Sequence, residues 1–417
     1  MELADHLFRH EAGRITAALT KVFGIHNLDL VEDVVQEAFC QALATWAFRG
    51  VPENPSAWLM TAAKHKALDA LRRKRTIRIF AAEMGRLLES EWTLAPTVAE
   101  VFEPAALRDE QLRMMFSCCH PNLPEESQVG LILHILCGFS VDEIAAAFVA
   151  THTAIEKRLP RAKKVLAESG ALFDVTAAAD FSIRLPAVQR ALYLLFNEGY
   201  HGASPESAVR ADLCVEAIRL CTLLLEHPPA ATPATCALAA LMNLHAARLP
   251  ARLDAQGNLL TLLEQDRCAW DQERLSEGLR LLELSAREQQ ITTYHLQAAI
   301  AAVHAQASSQ QFTDWAAIIA LYDALLTLEP SPIIALNRAI AIGQIHGPDA
   351  GLQAIGNIAG PERLATYPFF HAAIGEFESR RGNHAAAQEH FATALQCARN
   401  VAERQFFERR IAGNESS

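Results

Sequence analysis

The run Asn54–Arg75, NPSAWLMTAAKHKALDALRRKR, constrains the fold more than any other stretch of the chain. Asn54 followed by Pro55 reads as a helix N-cap with a first-turn proline. Leu59, Ala63, Ala67 and Leu71 then recur every four residues, which predicts a helix with one narrow, small-residue apolar stripe. The opposite side carries Thr61, His65 and Arg72, flanked by Lys64 and Lys66. The helix ends in Arg72, Arg73, Lys74 and Arg75, with Arg78 just beyond and only Asp69 opposing the charge. A solvated basic helix is the plainer account of such a run taken alone. Trp58 at its start, the Asn-Pro entry and the acidic amphipathic segment before it point instead to a binding face.

A chain of 417 residues, 51% of them hydrophobic, has material for two or three domains with proper cores. No apolar run is long and charge-free enough to span a bilayer, and MELADHLFRHE lacks a signal-peptide core, so the expected compartment is the cytoplasm. Nine scattered cysteines without a C-x-x-C pair read as buried free thiols in a reducing compartment. The net charge of -11 argues against nucleic acid only if its distribution is ignored. Up to Gly170 there are 19 basic and 22 acidic residues; beyond it there are 18 and 26. Within the first part, Lys64–Arg78 and Lys157–Lys164 are nearly pure positive islands. About 6 phosphate contacts from such islands would make binding fall on the order of a thousandfold between about 50 and 200 mM salt.

In chain order, Leu7, Ile15, Leu19 and Val22 predict a helix over 3–23, interrupted near Gly24 and resumed at Asp29. Asp29, Glu32 and Asp33 enrich the first turn of the next helix, where the macrodipole favours them. Val34, Val35, Ala38 and Ala42 turn inward, and Asp33, Gln36 and Glu37 face out. Residues 79–104 break the pattern with scattered acids, Pro96 and Pro104, and read as a linker. Gly138–Lys164, GFSVDEIAAAFVATHTAIEKRLPRAKK, reads as a helix-turn-helix. Ser140 with Glu143 makes one capping box and Thr153 with Glu156 a second, with the turn near 149–151 and Ile144 and Phe148 in the core. The second helix would present Thr151, His152, Thr153 and Glu156 near base edges, and Lys157, Arg158, Arg161, Lys163 and Lys164 to phosphates. Pro160 predicts a kink or early end. Cys118, Cys119 and His120, with His134 and Cys137, match no standard metal spacing, and packed thiols are the expected reading.

Asp29–Trp46 followed by Gly50–Arg73 resembles region 2 of an extracytoplasmic-function sigma factor of bacterial RNA polymerase, and Gly138–Lys164 resembles region 4 of the same family. The resemblance implies polymerase docking through Asp33, Gln36, Glu37 and Phe39. It implies reading and opening of the minus 10 element by Trp58, Thr61, Lys64, His65, Lys66, Arg72 and Arg73. It implies contact with the minus 35 element by Thr151, His152, Thr153, Glu156, Lys157, Arg158, Arg161 and Lys164. His65 stands where the family usually has Asn, and Lys64 and Lys66 replace its commoner arginines, which bears on promoter preference.

Beyond Gly170 the composition shifts to Ala and Leu. Leu185–Ser204 reads as a helix stopping at Gly199, with a specific FNEGY segment at 196–200. Gly375, Gly382, Ala387, Phe391 and Ala394 fall on a tetratricopeptide pattern, as do Ile318, Tyr322 and Pro330 of an earlier repeat. DLCVEAIRL (212–220), LLEQDRCAWD (262–271), QAAIAAVHAQA (297–307), the run 313–342 and AERQFFERR (402–410) resemble the long C-terminal extension of one sigma subfamily. The resemblance implies an all-α chain: region 2 at 1–78, a linker at 79–106, region 4 at 107–170 and a tetratricopeptide-like solenoid at 171–417. Core RNA polymerase and promoter DNA are the expected partners, with a further protein on the repeats, no membrane, no cofactor and no metal. A one-component regulator, in which helical repeats sense a ligand and only 138–164 touches DNA, leaves the segments 29–46 and 54–75 without a role. A helical enzyme built on LLEQDRCAWD lacks a nucleophile or phosphate loop, and a buried Asp266 paired with Arg267 or another partner is the simpler expectation.

Overall fold

The computed structural model describes residues 2–76, 102–148, 150–170, 172–173, 178–201, 209–287 and 290–415. Two compact units divide the chain, Met1–Leu195 and Phe196–Ser417. Regular structure among the described residues is helical, apart from one isolated bridge between Leu253 and Leu259.

The first unit begins with α1 (Glu2–Phe23), α2 (Leu28–Arg49) and α3 (Pro55–Thr76). Gly24, at φ 80°, turns the chain out of α1 into a single 3-10 turn, a conformation that costs other residues more. Asn54 caps α3 as its sequence predicts, its Oδ1 accepting from the Ala57 amide at 3.0 Å. The alanine stripe of α3 is buried: Leu59, Ala63 and Ala67 pack with Val31, Val34, Val35, Ala38 and Phe39 of α2 and with Ile15 and Leu19 of α1.

Four more helices follow: α4 (Pro104–Cys118), α5 (Glu125–Ile135), α6 (Val141–Ala147) and α7 (His152–Glu168). The expected linker lies mostly outside the described residues, and α4 opens at Pro104, inside the stretch assigned to the linker. The two groups of helices share one compact unit. Ala18 and Leu107 are buried together beneath Val22, Met60 and Phe102. Glu110, almost fully buried, receives Lys21 at 2.8 Å and Arg113 at 3.3 Å. Gly13 permits the closest approach, since a Cβ there would stand 2.1 Å from the Leu136 carbonyl oxygen. The composition shift at Gly170 is not the boundary of this unit. Phe173 and Phe181 pack on Phe116 at ring distances of 5.3 and 4.5 Å, and Arg184 donates to the Phe116 carbonyl at 2.9 Å.

In the second unit the FNEGY segment is helical throughout, within α8 (Ala178–His201), and does not stop at Gly199. The glycine is needed for close approach: a Cβ would lie 2.8 Å from the Cys214 amide and the Arg210 carbonyl. Then come α9 (Ala211–Leu225), α10 (Pro233–Ala246), α11 (Gln272–Ser285), α12 (Thr293–Gln306), α13 (Trp315–Leu328) and α14 (Pro332–His346). The unit closes with α15 (Pro348–Gly356), α16 (Pro368–Arg380), α17 (His384–Gln396) and α18 (Val401–Glu415). From α9 onward each helix packs on the next, the nearest-neighbour stacking of a helical solenoid. Gly375 lies against the Phe391 ring between α16 and α17, Ala387 and Ala394 are buried beside it, and Gly382 makes the turn at φ 77°. Asp266 is exposed and caps a 3-10 turn through the Cys268 amide, so the buried ion pair expected with Arg267 does not form. Arg267 instead donates to the carbonyls of His304 and Ala307, both at 2.6 Å. No described helix is long and apolar enough to cross a membrane.

Gly13→Ala forces a methyl into a backbone carbonyl and should cost about 1–3 kcal/mol, as overpacking does. Gly356→Ala, where a Cβ meets nothing within 4 Å, is the control. Thermal melting should fall several degrees for the first and hold for the second; equal melting would contradict the close approach.

Candidate nucleic-acid interface

The buried stripe of α2 is Val31, Val34, Val35, Ala38, Phe39 and Ala42. Phe39 therefore lies beneath the outer face, only 8% exposed, and is not on the surface where the sequence placed it. Asp33 and Gln36 are exposed. Glu37 is exposed too, but its Oε2 receives Lys66 of α3 at 3.1 Å. Lys66, assigned to DNA by sequence, thus spends its charge between helices. The outer face continues into Leu43 and Phe48, the latter 92% exposed. The sequence reading missed both, although their placement off the buried stripe was the available signal.

On α3, Thr61 and His65 are exposed one turn apart, and Thr61 Oγ1 donates to the Ala57 carbonyl at 2.8 Å. Lys64 is half-buried beside them. Trp58 packs edge-on against Trp46, ring centroids 5.5 Å apart, and is half-buried at the rim of the core. Its ring is held in place, with one part left accessible. Arg72 and Arg73 continue the same helix; their side chains fall outside the described ones.

The turn between α6 and α7 is set by two caps. Ser140 and Glu143 form the expected box, with the Ser140 amide donating to Glu143 at 2.9 Å and the Glu143 amide donating to Ser140 Oγ at 3.2 Å. The second cap is Thr151, whose hydroxyl accepts from the Ala154 amide at 3.3 Å. The Thr153–Glu156 box is not formed, because α7 begins two residues earlier than that box requires. Phe148 is only half-buried, while Ile144 is fully inside. Pro160 neither ends α7 nor faces the core: the helix runs on to Glu168 with Pro160 on its exposed side, where water can satisfy the carbonyl that loses its donor.

Ile155, Leu159, Ala162 and Leu166 anchor α7, which fixes what faces outward. Thr151, His152, Thr153, Glu156, Lys157, Arg161 and Lys164 are exposed. Lys157, Arg161 and Lys164 recur at helical spacing and make one basic stripe. Two neighbouring cations are engaged elsewhere. Arg158 pairs with Glu126 at 2.9 Å, and Lys163 pairs with Glu32 of α2 at 2.6 Å, so neither belongs to the free basic stripe. His152 Nδ1 lies 2.6 Å from Asp142 Oδ1, and this hydrogen bond raises the imidazole pKa above its ordinary value. An exposed helix N-terminus bearing small polar residues, backed by a basic stripe, is suited to base edges and phosphates together.

Cys118, Cys119 and Cys137 are buried, and desolvation pushes the Cys118 thiol up to about 12. His134 Nδ1 lies 3.0 Å from the Phe139 carbonyl, and burial, then Lys163, lower its pKa. Protonated, packed thiols are what the sequence spacing suggests for this segment.

Residues 7–77 match the family described as Sigma-70 region 2, and residues 184–286 match a family of unknown function, DUF6596. The chain is 39% identical over 386 residues to an uncharacterized protein of Rhizobium meliloti (strain 1021), R00370, covering 93% of this chain and 90% of that one. No solved structure matches.

The raised pKa of His152 has a directional consequence. The pair's contribution to stability is complete below the ordinary histidine pKa and is lost as pH rises through the folded value. NMR titration should find His152 titrating above 6.5 in the native chain and nearer that value in Asp142→Asn. Identical titrations would contradict the bond.

Proposed function

We propose that this chain, a sigma-70 family member by its region 2, acts as an extracytoplasmic-function sigma factor with a regulatory helical extension. The observation that supports this reading is the pairing, in one chain, of a region 2 match with two consecutive capped helices, α6 and α7, the second with a basic outward face. Its work is binding and positioning, without catalysis of its own, in the cytoplasm beside core RNA polymerase.

In this reading Asp33, Gln36 and Glu37 dock on the polymerase, with Leu43 and Phe48 as apolar anchors along the same outer face. Aromatic anchors ringed by polar groups carry most of the energy at protein interfaces. On α3, Thr61, Lys64 and His65 meet the minus 10 element, and Arg72 and Arg73 hold the backbone of the opened strand while Trp58 offers an edge for an unstacked base. On α7, Thr151, His152, Thr153 and Glu156 read the minus 35 element, and Lys157, Arg161 and Lys164 contact phosphates, with Arg158 joining them only if it leaves Glu126. The extension, tetratricopeptide-like in this reading, tunes that activity through a ligand or a protein partner.

Asp33→Lys tests the docking face without disturbing the Glu37–Lys66 pair. Binding to purified core polymerase, followed by native gel shift, should weaken about tenfold or more, as loss of one charge-assisted contact worth ~1.5–3 kcal/mol does. Melting of the free chain should not change; unaltered polymerase affinity would remove the face from the account. Replacing Arg72 and Arg73 together by Ala should impair strand opening, read by permanganate reactivity, more than closed-complex formation. Equal loss of both would reduce these residues to phosphate anchors.

A further inference from the structure

A second concentration of positive charge lies inside the second unit. Arg252, 8% exposed, stacks its guanidinium 4.1 Å above the Tyr200 ring, and its Nε has no hydrogen-bond partner among the described residues. Tyr200, 2% exposed, likewise has a hydroxyl without a partner there, and so does the indole Nε1 of Trp270, 3% exposed. Arg248 stands over the Trp270 ring at 5.6 Å and donates from Nε to Gln265 at 3.2 Å. His201 and His245 flank Tyr200, at ring distances of 4.7 and 5.0 Å. His201 keeps an exposed surface, which gives the cluster a way to solvent.

The chemistry of this set is one-sided. No carboxylate among the described residues forms an ion pair with Arg248 or Arg252. Asp254, the nearest acid in sequence, turns away to accept from the Gln256 and Asn258 amides at 2.9 and 2.8 Å. The groups left over are mainly donors: a guanidinium, an indole N–H and a phenol. Desolvation, then Arg248 and Arg252, hold His245 down to about 3, so the imidazole is neutral and the positive charge belongs to the arginines alone. Arg267 also stands over the Trp270 ring, at 4.9 Å, and cations gathered with no described carboxylate paired to Arg248 or Arg252 cost desolvation and mutual repulsion, which stacking on the two rings offsets only in part.

We propose that Tyr200, His201, His245, Arg248, Arg252 and Trp270 form a binding site for a small oxyanion, either a phosphate ester or a carboxylate. An oxyanion can accept from guanidinium, indole and phenol donors, and it would supply the negative charge that no described carboxylate brings to Arg248 or Arg252. Arg252 is held over the Tyr200 ring at 4.1 Å, which restricts its guanidinium before any ligand arrives. Use of the site as a regulatory input rests on the sigma reading above; the binding itself does not.

The test uses the full chain without polymerase, so its failure is separate from failure of that reading. Melting temperature is followed against sodium phosphate and, separately, sodium acetate, each matched in ionic strength with sodium chloride. A ligand that binds only the folded chain raises melting in a saturable way. The expected result is such a rise with at least one anion, with apparent affinity weakened at least ~10-fold in Arg252→Gln, which loses a charged fork. Tyr200→Phe, which keeps the ring beneath Arg252 and removes only the hydroxyl, should weaken it less, and it serves if Arg252→Gln does not fold. Phosphate alone assigns a phosphate ester, acetate alone a carboxylate. No rise beyond chloride with either anion, or a rise that both variants leave unchanged, would overturn the site.

Discussion

On α3 and α7 burial takes one stripe of each helix, and that constraint decides which charges stay at the surface. On α7, Ile155, Leu159, Ala162 and Leu166 lie inward, which turns Lys157, Arg161 and Lys164 outward and delivers Lys163 to Glu32. On α3, Leu59, Ala63 and Ala67 do the same: Thr61 and His65 remain on the surface while Lys66 reaches Glu37. The basic island on α7 is therefore divided into an exposed cation stripe and two paired cations, Arg158 and Lys163, and on α3 Lys66 is likewise paired. An exposed pair such as Lys66–Glu37 contributes little to stability, generally under ~1 kcal/mol. The larger effect of these pairs is to remove cations from the face offered to a polyanion.

The second unit reverses the arrangement. The chain beyond Gly170 is the more acidic part, with 18 basic and 26 acidic residues, yet Arg248 and Arg252 lie within it unmatched by any described carboxylate. Several acids of that unit serve locally at the surface: Asp254 organises a turn, Asp266 caps another, and Glu277 holds Arg280 at 2.7 Å. Net charge describes the outside of such a unit and says little about what is gathered inside it.

What the sequence made legible was whatever local chemistry determines. The Asn54 cap, the Ser140–Glu143 box and the apolar stripes of α2 and α3 need only neighbours three or four residues away. What it concealed depends on distant partners. Phe39 continues the buried stripe at the spacing the inward residues already showed, so its placement in the core was available; the family resemblance overrode that signal. The Lys66–Glu37 and Lys163–Glu32 pairs join segments far apart in sequence, and nothing local distinguishes a paired lysine from a free one. Pro160 and Gly199 misled for a shared reason: both are read as helix breakers, but one sits on an exposed side and the other meets a close-packed backbone. Tyr200 drew notice within FNEGY, whereas Arg248 and Arg252, four residues apart in a short turn, gave no sign of converging on it.

The central claim, that this chain directs RNA polymerase to promoters, is tested most directly by run-off transcription with purified core polymerase and DNA from upstream of its own gene. The account predicts a discrete start site that requires both polymerase and this chain. Transcription that is independent of the chain, together with duplex binding by the chain alone, would contradict it and assign the helix-turn-helix to a regulator that works without joining the polymerase.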